Sequence, residues 1–196
     1  LYIWGMESLD SDMLGAFYDI PDGSVRGQLA SFVRRSYPDE DDAEVPPEQY
    51  ERIMQLWRWR VDEMRQATDT ADATDELKEF GWVFPIHALP PGDALELLVE
   101  TLRLTGGEIE WGHAVLERLA GLASDFPAQA MAALAMVVKA ATESWHLMDV
   151  QEHGRPILEA AIECGDTEAR KVARECINRL AEARIHDFRD LWERIK

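Results

Sequence analysis

The chain has 196 residues, of which 20 are lysine or arginine and 38 are aspartate or glutamate, so its formal net charge is −18. Apolar residues make up 46% of it, a composition typical of globular proteins that excludes a collagen-like or wholly disordered chain. The acidity disfavours binding to nucleic-acid phosphates or to an anionic membrane surface, because like charges repel. The longest apolar stretch, 128–141, contains Lys139 and is shorter than the roughly 20 residues of a membrane span. We therefore expect a cytoplasmic protein.

The N-terminal third predicts two helices. Ser24 caps a helix that continues to about Tyr37, and a second helix begins at Pro46-Pro47, since proline fits the first turn of a helix, and ends near Gln66. Between them, the acidic run 39–44 lacks the glycine and the final glutamate of a calcium-binding loop. We interpret this run as a solvated loop.

The domain organisation is predicted from one small, polar stretch. Residues 67–75 form a joint between an N-terminal helical subdomain, 1–66, and a region of helical pairs, 76–196. A single continuous domain, 1–196, is the alternative. Because the sequence begins with Leu1 rather than methionine, we expect it to be a piece of a longer polypeptide.

Helical periodicity continues through the rest of the chain. Apolar residues three and four apart form stripes around Leu98, around Leu119 and from Ala169 to Leu180, and alanines surround the apolar stripe of 127–141. Only 81–86 resembles a strand, and it has no pairing partner. The predicted fold is therefore all-α, a short α-solenoid of antiparallel helix pairs, with an irregular helical bundle as the alternative.

One helix pair carries a family resemblance. The segment Ile157 to Ile162, the turn Gly165-Asp166 and the arginine- and alanine-containing start of the next helix resemble a HEAT or armadillo repeat. Residues from Glu79 onward also resemble the C-terminal helical modules of large bacterial multidomain proteins. These resemblances imply a recognition or scaffold arm and supply no catalytic residues.

The two cysteines are Cys164 and Cys176, on neighbouring predicted helices. An antiparallel pair of helices places them about two turns apart in height, which is too far for a disulfide. We expect two buried, reduced thiols.

Catalytic signatures are missing from the sequence. It contains no phosphate-binding loop, no dinucleotide fingerprint, no HExxH motif and no CxxC pair. The one metal-ligand spacing is His146, Asp149 and His153, which a continuous helix would place on one face, although Gly154 and Pro156 are expected to break that helix. We therefore predict no catalytic residue, no cofactor and no metal, and keep a metal-dependent helical enzyme built on these three residues as the alternative.

A second titratable cluster lies at the start of a predicted helix. It consists of Glu108, Glu110 and His113. Carboxylates are expected there from the helix dipole alone. We assign this cluster no chemistry.

Partner binding is predicted for a local basic and aromatic patch. Trp57 falls in the apolar stripe of its helix, whereas Trp59 points almost to the opposite side. Tryptophan and arginine are enriched at binding hot spots and can hold carboxylates or phosphates. The patch comprises Trp59, Arg34, Arg35, Arg52, Arg58 and Arg60.

The function predicted from these observations is a non-catalytic helical module that binds a protein or another domain of its parent chain. Besides the metal-dependent enzyme, one further alternative is a nucleic-acid sensor that uses Arg170, Lys171 and Arg174 on the outer side of one helix.

Overall fold

The computed structural model describes residues 47–66, 71–142 and 147–195, with the backbone alone for 47–50 and 71–73. All regular structure in these ranges is helical and they contain no strand, which confirms the all-α prediction. The helix predicted from Ser24, the acidic loop 39–44, and the patch residues Arg34 and Arg35 lie outside the described residues.

The described chain divides into two compact units, the first ending at Thr105 and the second beginning at Gly106. The predicted joint 67–75 falls within the first unit. That unit contains α1 (Pro47–Gln66), α2 (Ala71–Lys78), a 3-10 turn (Glu79–Trp82) and α3 (Pro91–Leu104). The second contains α4 (Gly112–Leu122), α5 (Pro127–Ala140), α6 (Met148–Glu163), α7 (Thr167–Glu182) and α8 (Arg189–Ile195).

In the first unit, α1, α2 and α3 pack against one another around Trp57. The Trp57 ring is fully buried, stacks on Phe80 with 5.4 Å between ring centroids, and donates its indole N–H to Thr101 Oγ1 at 2.9 Å. The candidate strand 81–86 forms part of the 3-10 turn and the turns after it, with Phe84 fully buried. Leu98, on the predicted apolar stripe of α3, is also fully buried.

The second unit has a stacked arrangement in which each helix packs against the next one and the next but one. Thus α4 contacts α5 and α6, α5 contacts α6 and α7, and α6 contacts α7 and α8. The helices α4, α6 and α8 therefore form one layer, and α5 and α7 form the other. This arrangement is compatible with a helical repeat. The alanine-rich α5 contacts three helices, because its small side chains permit close approach.

The predicted helix pair corresponds to α6 and α7. Gly165 adopts a positive φ of +81° in the turn, and the Asp166 carboxylate accepts hydrogen bonds from the backbone N–H groups of Glu168 and Ala169 at 2.8 and 3.2 Å. The expected break at Gly154 and Pro156 does not occur, since α6 continues through both. A Cβ at Gly154 would lie 3.2 Å from Val150 Cγ1, a tight contact, and 3.5 Å from Phe188 Cζ, an ordinary one. Packing therefore outweighs the local cost of the two helix breakers.

Neither cysteine forms a disulfide, as predicted. Cys176 is buried, and burial raises the pKa of its thiol to about 12. Cys164 is exposed, contrary to expectation, because it lies where α6 ends and the chain turns.

Arginine side chains join the ends of helices in the second unit. Arg179 of α7 donates to the carbonyl oxygens of Val138 at 2.9 Å and Lys139 at 2.7 Å, near the end of α5. Arg155 of α6 binds both oxygens of Asp190 on α8, at 2.8 and 2.9 Å, and lowers the pKa of that carboxyl to about 2. The last carbonyls of a helix have no partner within it, so Arg179 supplies donors that the sequence of α5 does not.

Gly107 lies close to the backbone of α5 in the second unit. Its φ is +96°, and a Cβ at this position would lie 2.3 Å from the carbonyl oxygen of Met136 on α5. Only glycine fits there without displacing α5.

Candidate functional site

The structure separates the described members of the predicted patch on α1. Arg58 is half-exposed and donates to Asp93 Oδ2 of α3 at 2.7 Å. Trp59 and Arg52 are only partly exposed, and Arg60 is buried. Because successive residues of a helix are rotated by 100°, Arg58 faces Asp93 on α3, whereas Arg60 faces Glu76 on α2. They do not form one basic surface.

Arg60 forms a buried ion pair with Glu76, which joins α1 to α2. The side chains of Arg60 and Glu76 are 6% and 1% exposed. The Trp59 ring lies against this pair, with its centroid 4.8 Å from Arg60 Cζ, a distance at which the cation is attracted to the ring face. Arg60 therefore contributes to the fold of the first unit, and is not presented to a partner.

A groove between α1 and α3 is lined by seven charged side chains of the first unit. Its volume is about 420 Å³. Val61, Leu97 and Val99 supply its apolar lining. We call it the arginine groove, and its charged lining consists of Arg58, Arg65, Arg103, Asp62, Asp93, Glu96 and Glu100.

Each arginine of this groove has a carboxylate partner within the groove. Arg65 binds Asp62 at 2.8 Å and Glu100 at 2.9 Å, and its pKa is raised chiefly by the hydrogen bond to Glu100. Arg103 also pairs with Glu100, and Arg58 pairs with Asp93. Of these three arginines, only Arg58 belongs to the patch predicted from the sequence, and Arg65 and Arg103 do not. The spacing of seven residues between Arg58 and Arg65, two helical turns, was the available signal.

The structure brings together residues from two clusters that the sequence kept apart. Asp149 and His153 of the proposed metal set lie on α6, and His113 of the other cluster lies in the first turn of α4. The His113 and His153 rings meet edge to face with centroids 4.6 Å apart, and His113 Nδ1 lies 3.3 Å from Asp149 Oδ1. His146 lies outside the described residues. Glu108 and Glu110 are exposed and precede α4.

Arg170 of the alternative nucleic-acid surface is engaged within the second unit. Its Nε and Nη2 donate to the Ile162 carbonyl oxygen near the end of α6, at 3.0 and 2.8 Å. Lys171 binds Glu168 at 3.3 Å. This face is thus partly occupied by contacts that stabilise the α6–α7 pair.

Comparison with known proteins gives no relative, because no protein-family model, curated protein or solved structure matches the chain. None of the helices described combines the length and the apolar character needed to cross a membrane.

Proposed function

We propose that the chain is a cytoplasmic, non-catalytic, HEAT-like helical module that recognises a protein partner, or another domain of its parent chain, through the arginine groove. The partner segment carries carboxylates that face Arg58 and Arg103 and an apolar side chain that covers Val99, the partly exposed member of the apolar lining. The observation that supports this proposal most directly is the convergence of three arginines on one groove, where solvent reaches the ion pairs that they form with the groove's own carboxylates.

The ion pairs of the groove can be exchanged at small cost. Arg58 and Asp93 are 47% and 58% exposed, and Arg103 is 66% exposed. Pairs with this degree of exposure contribute about 0 to 1 kcal/mol, because water and salt screen them. A partner carboxylate can replace Asp93 on Arg58 with little loss, and the planar guanidinium can bind it through two hydrogen bonds.

The acidity of the remainder of the chain gives this groove selectivity. With a net charge of −18, most of the surface repels a segment that carries carboxylates. The arginine groove places three arginines beside four carboxylates, so the partner that fits it carries a basic residue as well as carboxylates. Complementary charge of this kind contributes more to specificity and association rate than to affinity.

The experiment selects peptides on the full chain and then tests the groove with matched variants. Peptides are selected from a random phage-displayed library, and their affinities are measured by fluorescence anisotropy. The double variant Arg58→Glu, Arg103→Glu removes two cations of the groove. The double variant Arg174→Glu, Arg189→Glu, at two exposed arginines of the second unit, is the control with the same change of charge. We expect peptides that carry acidic, basic and apolar residues and that lose at least about tenfold affinity, or 1.4 kcal/mol, for the Arg58→Glu, Arg103→Glu variant only. If the wild type and the Arg58→Glu, Arg103→Glu variant bound the selected peptides with equal affinity, the groove would be excluded as the binding site.

A further inference from the structure

We propose that the second unit contains a site for a divalent transition-metal ion such as zinc. His113, Glu152 and His153 hold the ion, and Asp149 orients the His113 ring. This site is separate from the arginine groove. It joins α4 to α6, two helices that are neighbours in space through the stacking of alternate helices.

The donor atoms are close enough for one ion to contact all three ligands. One ligand atom each from His113, Glu152 and His153 lie within 4.8 Å of one another. A tetrahedral zinc ion with bonds of about 2.0 to 2.1 Å needs donors about 3.4 Å apart. His113 and Glu152 are exposed, so changes in their side-chain torsions can close the remaining distance.

Asp149 prepares His113 to act as a ligand. A carboxylate only accepts hydrogen bonds, so the 3.3 Å contact between Asp149 Oδ1 and His113 Nδ1 places the imidazole proton on Nδ1. The lone pair of the neutral ring is then on Nε2. Histidine ligands of metal ions are commonly oriented in this way by a carboxylate.

His153 supplies a ring nitrogen, Nε2, whose hydrogen-bonding capacity is not satisfied. Its Nε2 is shielded from solvent and has no hydrogen-bond partner among the described residues. The Glu152 Oε1 atom lies 3.9 Å from this nitrogen, beyond hydrogen-bond distance. A buried polar nitrogen without a partner is costly, and an ion between His153 and Glu152 would satisfy it.

The donor set selects the kind of ion. Two imidazoles and one carboxylate suit zinc and neighbouring transition metals, whereas magnesium and calcium prefer oxygen ligands. Three protein ligands leave a fourth position for water, and the exposure of His113 and Glu152 makes that position accessible. Because the ion binds the folded unit, saturating zinc also raises the unfolding temperature.

The proposal is tested on the tag-free full chain after treatment with a chelator. Zinc chloride is titrated by calorimetry, and cobalt(II) chloride is added to record the visible absorption bands, whose intensity reports the coordination number. We expect one equivalent of zinc, with at least tenfold weaker binding in His113→Ala and in Glu152→Gln. Asp149→Asn should weaken binding by 10- to 100-fold while the cobalt bands keep their shape, because Asp149 is a positioning residue.

Two histidine controls separate this site from its alternatives. His186→Ala, an exposed histidine after α7, should bind zinc as the wild type does. His146→Ala should also bind normally, since the set proposed here does not use it. A loss with His146→Ala but not with His113→Ala would overturn the assignment. It would also be overturned if the double variant His113→Ala, Glu152→Gln bound zinc with unchanged affinity, or if the wild type bound magnesium as tightly as zinc.

Discussion

The buried Arg60–Glu76 ion pair allows a sharp test of the first unit. In Arg60→Met, the replacement keeps the length and much of the packing of the side chain and removes the charge. The Glu76 carboxylate, 1% exposed, then remains buried without the guanidinium that faces it. Removing one partner of a buried pair costs about 3 to 5 kcal/mol. This is a large part of a typical total stability of about 5 to 15 kcal/mol.

The double variant distinguishes charge from packing. In Arg60→Met, Glu76→Leu, both charges are replaced by apolar groups of similar volume, and such replacements are neutral or stabilising by about 1 to 4 kcal/mol. We therefore expect the double variant to be more stable than either single variant. The matched control is Arg58→Met, two positions along the same helix, where the half-exposed pair with Asp93 contributes about 0 to 1 kcal/mol.

The measurement is urea unfolding of the full chain, followed by far-ultraviolet circular dichroism. If Arg60→Met lowers the free energy of unfolding by less than about 0.5 kcal/mol, or by no more than Arg58→Met does, the pair is not buried as described. The result also guides binding experiments. A loss of partner binding in an Arg60 variant would report damage to the α1–α2 contact rather than loss of a recognition residue.

Three further predictions concern single positions. Leu98→Ala should lower the free energy of unfolding by about 2 to 5 kcal/mol, measured by chemical denaturation, because it empties a fully buried site. Gly107→Ala should destabilise the protein by about 2 kcal/mol or more, because the new Cβ clashes with α5 and φ is positive. Gly106→Ala is the control, since φ there is +71° but the space is open, and it should cost only about 1 kcal/mol. Equal losses of unfolding free energy in the two variants would contradict the close approach of Gly107 to α5. Arg155 lowers the pKa of Asp190 from 3.8 to about 2. The stabilisation from this pair should therefore be complete above about pH 4 and be lost as the pH falls through 2. If NMR shows that the Asp190 carboxyl of the folded wild type titrates near 3.8, this prediction is wrong.

Periodicity and capping residues were enough to predict the fold class. The stripe on α7 contains Cys176, Ile177 and Leu180, all of which are buried, and Asp166 caps this helix as predicted. Such signals are local, because 3.6 residues per turn determine which side chains share a face. The same reasoning placed Trp57 in the core of the first unit.

The candidate sites depended on contacts that periodicity does not encode. His113 and Glu152 are 39 positions apart and come together only because α4 stacks on α6. Arg60 and Trp59 were assigned to an exposed patch, but whether Arg60 faces water or another helix depends on where α2 lies. A pattern within one helix identifies its faces without identifying what covers each face. The HEAT-like character of the chain therefore stays a prediction.

Two of the three guanidinium groups of α7 affect how the second unit unfolds. Arg170 and Arg179 donate to carbonyls near the ends of α6 and α5, respectively. If α7 detaches, those carbonyls lose their donors at the same time as the apolar face of α7 becomes exposed to solvent. Amide protons of α5, α6 and α7 should therefore exchange with solvent deuterium as one cooperative group, rather than helix by helix from the chain end.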